Sequence, residues 1–289
     1  MYKEAIQDAI SMYELPSEWP KDLLNEAKHV AEKTKTTNYR RDLTKLSFAT
    51  IDGEDAKDFD DAVYCVKNSN GYKLYVAIAD VSFYVQPGSR LDKEAKKRGT
   101  SIYFPETVIP MLPENLSNGI CSLRPNEDRC SMICEMSIDL NGARKKYKFY
   151  SGLINSKARL TYNQVEKHLK KSCIKQSIVH ESIKHLFDLT KLRLKLRNQR
   201  RALEINPKEA MLELSKNKEV KNIIIKKPLF AHKLVEESML LANESAAEFM
   251  QERLDLGVYR IHEDPDPSKL EALKKHFKIP TQIAKKLSP

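Results

Sequence analysis

Long apolar runs are missing from this chain. None of its hydrophobic stretches reaches the ~18 residues that a membrane-spanning helix needs. The first residues, Met-Tyr-Lys-Glu-Ala-Ile, lack the apolar core of a secretion signal. The five cysteines are odd in number and stand mostly in apolar segments, which favours reduced thiols. These absences predict a cytoplasmic protein with no membrane partner.

The sequence patterns of several common enzymes and metal sites are also missing. Cys130 and Cys134 have no second pair at zinc-binding spacing, so we interpret them as core residues. No Gly-x-x-x-x-Gly-Lys loop is present to bind phosphates. Serine and histidine do not recur in an arrangement that would form a nucleophilic triad. Any catalysis therefore has to come from other side chains.

The charge balance is strongly basic. Lysine and arginine number 50 against 40 acidic residues, which gives a net charge of +10 and a pI near 9.2. Because many of the acids are gathered in one short stretch, the rest of the surface is more basic than the net charge suggests. Such a surface favours a polyanionic partner, with nucleic acid ahead of membrane. The basic run from Lys191 to Arg201 favours a solvated helix face, with phosphate contact as the less favoured alternative.

The order of the predicted elements indicates an α+β fold. Helical spacing predicts a helical lead-in over residues 1–42, with a domain boundary at its end. Hairpins are predicted at Asn70-Gly71, as a type I′ turn, and at Asn141-Gly142. Because strands come first and helices later, joined as hairpins and not as βαβ units, we expect a mainly antiparallel sheet flanked by helices. Further elements are predicted as helices over 91–98, 162–170, 182–201, 231–253 and 267–275 and as strands over 203–214 and 258–261.

One short stretch concentrates the acidic residues. Six of the ten residues from Asp52 to Asp61 are acidic, and apolar runs that read as buried strands lie on both sides. Crowded carboxylates raise one another's pKa, and a divalent cation removes that conflict. Hard oxygen ligands favour Mg²⁺, Mn²⁺ or Ca²⁺. The stretch therefore predicts a metal site between two strands.

Two alternatives to this metal site are a solvated acidic turn and a calcium-binding EF-hand loop. The interruption by Phe59 and the flanking strands make a solvated turn less favoured. An EF-hand loop needs a glycine at its sixth position, whereas Gly53 is second and Ala56 and Lys57 fall where ligands should stand. Clustered aspartates in a basic protein point instead to metal-assisted hydrolysis of phosphodiesters, in which two cations activate water and stabilise the leaving oxygen.

The segment from Thr50 to Val63 resembles the active-site signature of the ribonuclease II/ribonuclease R exoribonucleases. Further blocks match in order, and together they cover roughly residues 40 to 265 and are closest to the ribonuclease R branch. These blocks are Val76–Ser82, Arg98–Pro105, Val108–Pro113, Leu116–Gly119, Ala158–Tyr162 and Glu236–Met239.

The resemblance implies a processive, Mg²⁺-dependent 3′→5′ exoribonuclease that releases nucleoside 5′-monophosphates from single-stranded RNA, with Mn²⁺ as an alternative ion. It implies a sheet and helices arranged around an RNA channel. Asp52, Asp58 and Asp61 fall where the family places metal ligands. Asp60 falls on the catalytically required aspartate, which holds a second metal or orients the attacking water.

Three further site residues are implied by the same resemblance. Tyr103 matches an aromatic that stacks on bases near the RNA 3′ end, although a core tyrosine is the ordinary interpretation of such a residue. Tyr162 and Glu237 match positions near the catalytic channel, and we assign Tyr162 to RNA binding and Glu237 to catalysis. Contacts to the ribose 2′-hydroxyl in such a channel would distinguish RNA from DNA.

The chain departs from the family pattern in two places. Ile205 stands where the family usually has a second stacking aromatic. The sequence also ends at Pro289, before the family's Ser-Pro-Ile-Arg segment and S1-like domain, and begins after its cold-shock domains. We therefore expect residues 43–289 to form a catalytic domain that lacks its carboxy-terminal part, completed by a second chain or a missing segment. The alternative is an RNA-binding remnant or split-gene half with little or no turnover.

Overall fold

The structure is a computed structural model of the chain. It describes residues 2–32, 39–104, 107–171, 178–200, 209–215, 220–226, 228–255 and 266–277, together with Gly257, Tyr259, Ile261, Glu263 and Asp264. The pattern of contacts divides the chain into two units, Met1–Ser245 and Ala246–Pro289. No helix within the described ranges is long and apolar enough to cross a membrane.

Helices and strands follow one another in a fixed order. In chain order they are α1 (Tyr2–Met12), α2 (Lys21–Glu32), β1 (Arg41–Asp42), β2 (Ala49–Asp52), β3 (Asp61–Asn68), β4 (Gly71–Ala79), α3 (Val81–Tyr84), α4 (Arg90–Arg98), β5 (Ile102–Phe104), β6 (Thr107–Ile109), a π-helical turn (Asn115–Ile120), β7 (Asp128–Ile138), β8 (Arg144–Asn155), β9 (Ala158–Thr161), α5 (Tyr162–Lys171), α6 (His180–Gln199), β10 (Glu209–Leu214), β11 (Val220–Lys226), α7 (Phe230–Leu254) and α8 (Pro267–Phe277).

A seven-stranded sheet forms the centre of the larger unit, with strand order β1-β8-β7-β4-β3-β2-β9. The outer pairs β1–β8 and β2–β9 are parallel, and the pairs between them are antiparallel. Two separate two-stranded sheets consist of β5–β6 and β10–β11. The predicted α+β fold with a mainly antiparallel sheet and flanking helices is confirmed.

The hairpin predicted at Asn70-Gly71 is present, but the predicted type I′ turn is wrong. Gly71 is the first residue of β4 and pairs with Asn68, and Asn70 does not have a positive φ. Gly71 has a φ of +136°, and a Cβ added to it would lie 2.1 Å from the backbone oxygen of Ile138. The glycine is therefore required by the close approach of β4 to the end of β7.

The two faces of the sheet bury different apolar clusters because successive side chains of a strand point to opposite sides. On β4, Leu74 and Val76 pack against the helices, with Leu186 of α6 and Leu234 of α7 in the same cluster. Their neighbours Tyr75 and Ala77 belong to a second cluster, which also contains Phe48 and Phe59. The second cluster therefore reaches into the acidic stretch.

Most predicted helices are confirmed within two or three residues. The lead-in contains α1 and α2, and the long helices are α6 and α7. Gly99 ends α4 with a φ of +74°, as a glycine after a helix does. Of the predicted strand over 203–214, residues 209–214 form β10, and the earlier residues lie outside the described part of the chain. The predicted strand over 258–261 also lies partly outside it, and neither Tyr259 nor Ile261 is in a strand.

Candidate active site

The acidic stretch links two adjacent strands of the sheet. Asp52 is the last residue of β2 and Asp61 is the first residue of β3, and the two strands pair antiparallel through Ala49 and Val63. The end of one strand and the start of the next therefore share one edge of the sheet. Residues 53–60 connect them as a loop, which we call the acidic loop. This arrangement agrees with the predicted connection between two buried strands.

Side chains from distant segments fix the backbone of the acidic loop. Arg159 Nη2 donates hydrogen bonds of 2.7 Å to the carbonyl oxygens of Gly53 and Glu54. The Ser122 hydroxyl donates to the Lys57 carbonyl at 3.1 Å and accepts from the Phe59 N–H at 3.0 Å. These groups hold the loop through its backbone carbonyl and N–H groups and not through its carboxylates.

Phe59 is the apolar anchor of the acidic loop. Its side chain is only 8% exposed and packs in the second core cluster. Its carbonyl accepts a hydrogen bond of 2.8 Å from the N–H of Leu123, and the next carbonyl, of Asp60, accepts one of 2.9 Å from Ala79. Because the loop is pinned on both sides of Phe59, Asp58 and Asp60 are held at fixed positions beside Asp61.

Three of the four predicted ligands have raised pKa values. The pKa of Asp61 is raised to about 6, chiefly by burial and then by the charges of Asp52 and Asp60. Burial also raises the pKa of Asp52, with further contributions from Asp60 and Asp58 and an opposing one from Arg159. Asp60 retains solvent contact, yet the surrounding protein and Asp58 raise its pKa as well. The structure thus brings these carboxylates close enough for their charges to oppose one another.

Asp52 also has an oxygen with no partner. Its Oδ2 atom is buried and makes no hydrogen bond with any described residue. A buried, unpaired carboxylate oxygen is costly unless a cation or donor occupies the space beside it. The donor set of four carboxylates fits a hard divalent cation.

The carboxylates influence one another electrostatically, but their positions do not form a complete set of metal ligands. Within the described ranges, no group of three or more His, Cys, Asp or Glu side chains is placed so that it could hold a metal ion. One oxygen of Asp58 is engaged elsewhere, since the Tyr103 hydroxyl donates to its Oδ2 at 3.1 Å. The carboxylates therefore share one region without forming a closed set of ligands.

Tyr103 lies at the edge of this region. It stands on β5, is 65% exposed, and donates a hydrogen bond to Asp58 through its hydroxyl. A core tyrosine, the ordinary interpretation, is therefore wrong for this residue, because its ring faces solvent. Stacking of this ring on an RNA base stays a prediction.

Tyr162 is brought to the same edge of the sheet by β9. That strand runs parallel to β2, with Thr161 opposite Asp52, so the first residue of α5 follows directly beside the aspartates. Thr161 and Gln164 begin the helix as a capping box, with bonds of 2.9 and 3.1 Å. The pKa of Tyr162 is raised to about 12 by burial and by the charges of Asp52 and Asp61.

Glu237 lies in a different environment. It is 2% exposed on α7 and pairs with two arginines of α6, with Arg197 Nη1 at 3.0 Å and Arg193 Nε at 3.5 Å. Arg197 also contacts Glu236 at 2.6 Å. The contacts of Glu237 thus join it to α6, and its predicted catalytic role stays a prediction. The predicted solvated helix face is wrong for these two arginines, because both form ion pairs with glutamates of α7.

Several residues that shape the site were not predicted. Arg159 and Ser122 hold the acidic loop, Asn163 donates to Glu54 at 2.9 Å, and His232 stacks on Tyr162. Arg159 lies inside a block that resembles the family. Its bonds go to backbone carbonyls of a distant segment, and such bonds produce no recognisable spacing of residue types in the sequence. Ile205, the position of the missing aromatic, lies outside the described residues.

Comparison with known proteins decides the family. The sequence profile of the RNB domain matches residues 40–288. This chain belongs to the RNB domain family. The resemblance predicted from the acidic stretch and the later blocks is confirmed.

Relatives within the RNB domain family are longer proteins. The chain is 42% identical over 278 residues to Ribonuclease R of Vibrio parahaemolyticus, covering 93% of this chain and 33% of the relative. It is 43% identical over 269 residues to Ribonuclease R of Escherichia coli, covering 90% of this chain and 33% of the relative. The chain thus spans about a third of the length of these curated relatives.

A solved structure of the RNB domain family has the same fold. Mycoplasma genitalium RNase R, in complex with ribose-methylated single-stranded RNA, superposes with a TM-score of 0.86 at 33% identity. The similarity covers 94% of this chain and 43% of that protein.

Proposed function

We propose that this chain carries the aspartate centre of a metal-dependent 3′→5′ exoribonuclease, which hydrolyses single-stranded RNA to nucleoside 5′-monophosphates. The observation that carries the proposal is the convergence of Asp52, Asp60 and Asp61 at one edge of the sheet of an RNB domain, where burial and then neighbouring carboxylates raise their pKa values. The cytoplasmic location predicted from the cysteines stays part of this proposal.

The metal would be held by Asp52, Asp58, Asp60 and Asp61. Mg²⁺ is the expected ion and Mn²⁺ the alternative. The unpartnered Oδ2 of Asp52 and the raised pKa of Asp61 support this assignment, because both conditions are relieved by a positive charge. A bound divalent cation would supply Lewis-acid activation of water and stabilise charge on the reacting phosphate.

The chain's own residues would position the reactants. Arg159, Ser122 and Phe59 fix the loop that carries Asp58 and Asp60, so the carboxylates need little rearrangement when substrate binds. The exposed ring of Tyr103 would stack on a base close to Asp58. Tyr162, beside Asp52 and Asp61, would contact the sugar or phosphate of the terminal nucleotide.

RNA as the substrate is supported by charge and by the relatives. The net charge of +10 favours a polyanion. A protein of the same fold, Mycoplasma genitalium RNase R, is described in complex with single-stranded and with double-stranded RNA. The RNA channel and a second chain that completes the domain remain predictions within this proposal.

One observation favours the alternative of an RNA-binding protein without turnover. The described carboxylates do not form a ready group of metal ligands. In that case the basic surface would still bind RNA, because phosphate attraction does not require a metal site.

A cleavage assay separates the two functions. A 5′-labelled RNA is incubated with the parent chain and with Asp60→Asn, each in Mg²⁺ and in EDTA. The exoribonuclease predicts stepwise shortening that needs Mg²⁺ and falls at least about 10²-fold in the variant, while a cooperative thermal transition verifies that the variant is folded. RNA binding without shortening in any sample would establish the alternative. Shortening at the parental rate by Asp60→Asn would contradict the assigned role of that residue.

A further inference from the structure

A cleft lies beside the acidic loop. Its volume is about 590 Å³, within the range of sites for small molecules and nucleotides. One wall is the acidic loop at Ala56 and Lys57, and the other is the π-helical turn with Glu114, Asn115 and Asn118, followed by Arg124. None of the four aspartates assigned to the metal lines this cleft.

The cleft carries two uncommitted positive charges. Lys57 and Arg124 are both exposed, and neither side chain makes an ion pair or a hydrogen bond with any residue in the described ranges. The acidic residue among the lining side chains is Glu114, so the lining has a net positive charge. This differs from Arg193 and Arg197, which are neutralised by glutamates of α7.

A residue that lines the cleft also has an amide donor without a partner. The Nδ2 atom of Asn115 is buried and makes no hydrogen bond within the described part of the chain. Asn118 accepts the Ser117 hydroxyl on its Oδ1 at 3.4 Å, which leaves its amide nitrogen as a donor. A lining residue with an unpaired donor, together with two unpaired cations, is typical of a site whose acceptor is an anion.

The wall that carries these donors is rigid. Leu116 of the π-helical turn is fully buried. The nearly buried guanidinium of Arg129 donates to the Ser122 carbonyl at 2.9 Å and to the Gly119 carbonyl at 3.5 Å. Ser122 in turn bonds the acidic loop. Both walls are therefore joined through Ser122.

We propose that this cleft binds a phosphate group, with Lys57 and Arg124 as its cations and Asn115 as its buried donor. An ammonium, a guanidinium and an amide N–H together match the charge and the several acceptor oxygens of a phosphate. The phosphate belongs either to the backbone of the RNA or to a released nucleoside 5′-monophosphate. The inference rests on the proposed function, because that function places RNA and its product beside the acidic loop.

Two double variants of equal charge test the site. Lys57→Gln/Arg124→Gln removes both cations of the cleft. Lys93→Gln/Lys97→Gln removes two exposed lysines of α4, which lie outside the cleft and make no side-chain bond with described residues. Each is made in the Asp60→Asn background, and binding is measured in EDTA, so that neither hydrolysis nor metal binding enters the result. All four substituted side chains are exposed or partly exposed, and thermal midpoints verify that the variants remain folded.

Two probes distinguish the sources of the phosphate. Fluorescence anisotropy with a single-stranded RNA should show about a tenfold loss of affinity for the cleft variant at low salt. Its slope of log affinity against log salt should fall by about 0.7 for each lost phosphate contact. The α4 variant should stay close to the parent. Calorimetry with a nucleoside 5′-monophosphate should show binding that the cleft variant loses if the product is the ligand, and no binding if the RNA backbone is.

Asn115→Asp gives an independent check. It replaces the buried donor with a negative charge, so it should weaken phosphate binding as strongly as loss of one cation. The inference is overturned if the cleft and α4 variants bind RNA with equal affinity and the cleft variant binds the nucleotide no worse than the parent does, including the case in which neither binds it. These binding measurements do not depend on hydrolysis. They can therefore exclude the phosphate site while the cleavage assay supports the proposed function, or support the site while that assay contradicts the function.

Discussion

The rings of Tyr162 and His232 lie face to face, with centroids 4.1 Å apart and planes 18° from parallel. His232 is fixed at the start of α7, where its Nδ1 accepts a hydrogen bond of 3.1 Å from the N–H of Leu229. The histidine thus holds the tyrosine ring against the aspartates from the side of a different helix.

Removing the His232 ring should release Tyr162. His232→Ala should lower the free energy of unfolding by roughly 1 kcal/mol, in line with aromatic pairs, and reduce RNA cleavage. His232→Phe keeps a stacking partner and should restore most of both. Urea unfolding and the cleavage assay measure the two effects. Equal activity of the Ala and Phe variants would show that the stack does not position Tyr162.

Asp61 should make the metal-free protein less stable as the pH rises. An ordinary aspartate has a pKa of 3.8, and Asp61 in the folded protein has a pKa of about 6. The folded state therefore binds the proton more tightly than the unfolded chain does. This contribution to stability is fully present below pH 3.8 and is lost as the pH rises to about 6. The loss is on the order of 3 kcal/mol.

The pH effect is measured with Asp61→Asn in EDTA. The variant should unfold at higher urea concentration than the parent at pH 7, and the two should converge near pH 4. Asp139 provides the opposite control, because the Ala143 N–H and Lys145 lower its pKa. Asp139→Asn should lose stability relative to the parent at pH 7. A constant difference between parent and Asp61→Asn from pH 4 to pH 7 would contradict the raised pKa.

Divalent metal should raise the thermal midpoint of the parent chain. Binding to the folded state alone stabilises a protein by about 2.7 kcal/mol at a hundredfold excess over the Kd. Mg²⁺ or Mn²⁺ should therefore stabilise the parent but have little effect on Asp52→Asn. Glu54→Gln is the matched control, since it removes a charge from the same loop but retains an acceptor for Asn163. Thermal midpoints that respond equally to Mn²⁺ in all three proteins would exclude the proposed ligands.

Two substitutions of Tyr103 should distinguish stacking on RNA from hydrogen bonding to Asp58. Tyr103→Ala should cost about 1–3 kcal/mol of affinity for single-stranded RNA, because the exposed ring is lost. Tyr103→Phe keeps the ring and should bind RNA almost as the parent does. Tyr103→Phe removes the hydrogen bond to Asp58, so any effect of this variant should appear in the response of its thermal midpoint to divalent metal. RNA anisotropy that gives one affinity for both variants would rule out stacking.

The fold class and the acidic loop could be predicted from sequence because both depend on neighbours along the chain. The apolar runs and the hairpin signal at Asn70-Gly71 identified β3 and β4, and the helix predicted over 91–98 agrees with α4. The aspartates were placed correctly between two strands since the apolar runs directly flank them.

The remaining features depend on contacts between distant segments. The parallel pairing of β2 with β9, and with it the place of Arg159, follows from the order of strands in the sheet. Gly71 was assigned to a turn because its approach to Ile138 is visible only once β7 lies beside β4. The arginines of α6 appeared solvated since their partners stand on α7.

The pairing of β2 with the edge strand β9 also sets the order in which the site can be assembled. Arg159 lies 106 positions after Gly53, whose carbonyl it binds, and contacts this far apart in sequence form late in folding. During synthesis, a nascent chain that has emerged only through β4 already contains all four aspartates but lacks the strand that carries Arg159. Such a chain should bind divalent metal weakly, and high affinity should arise only after β9 joins the sheet.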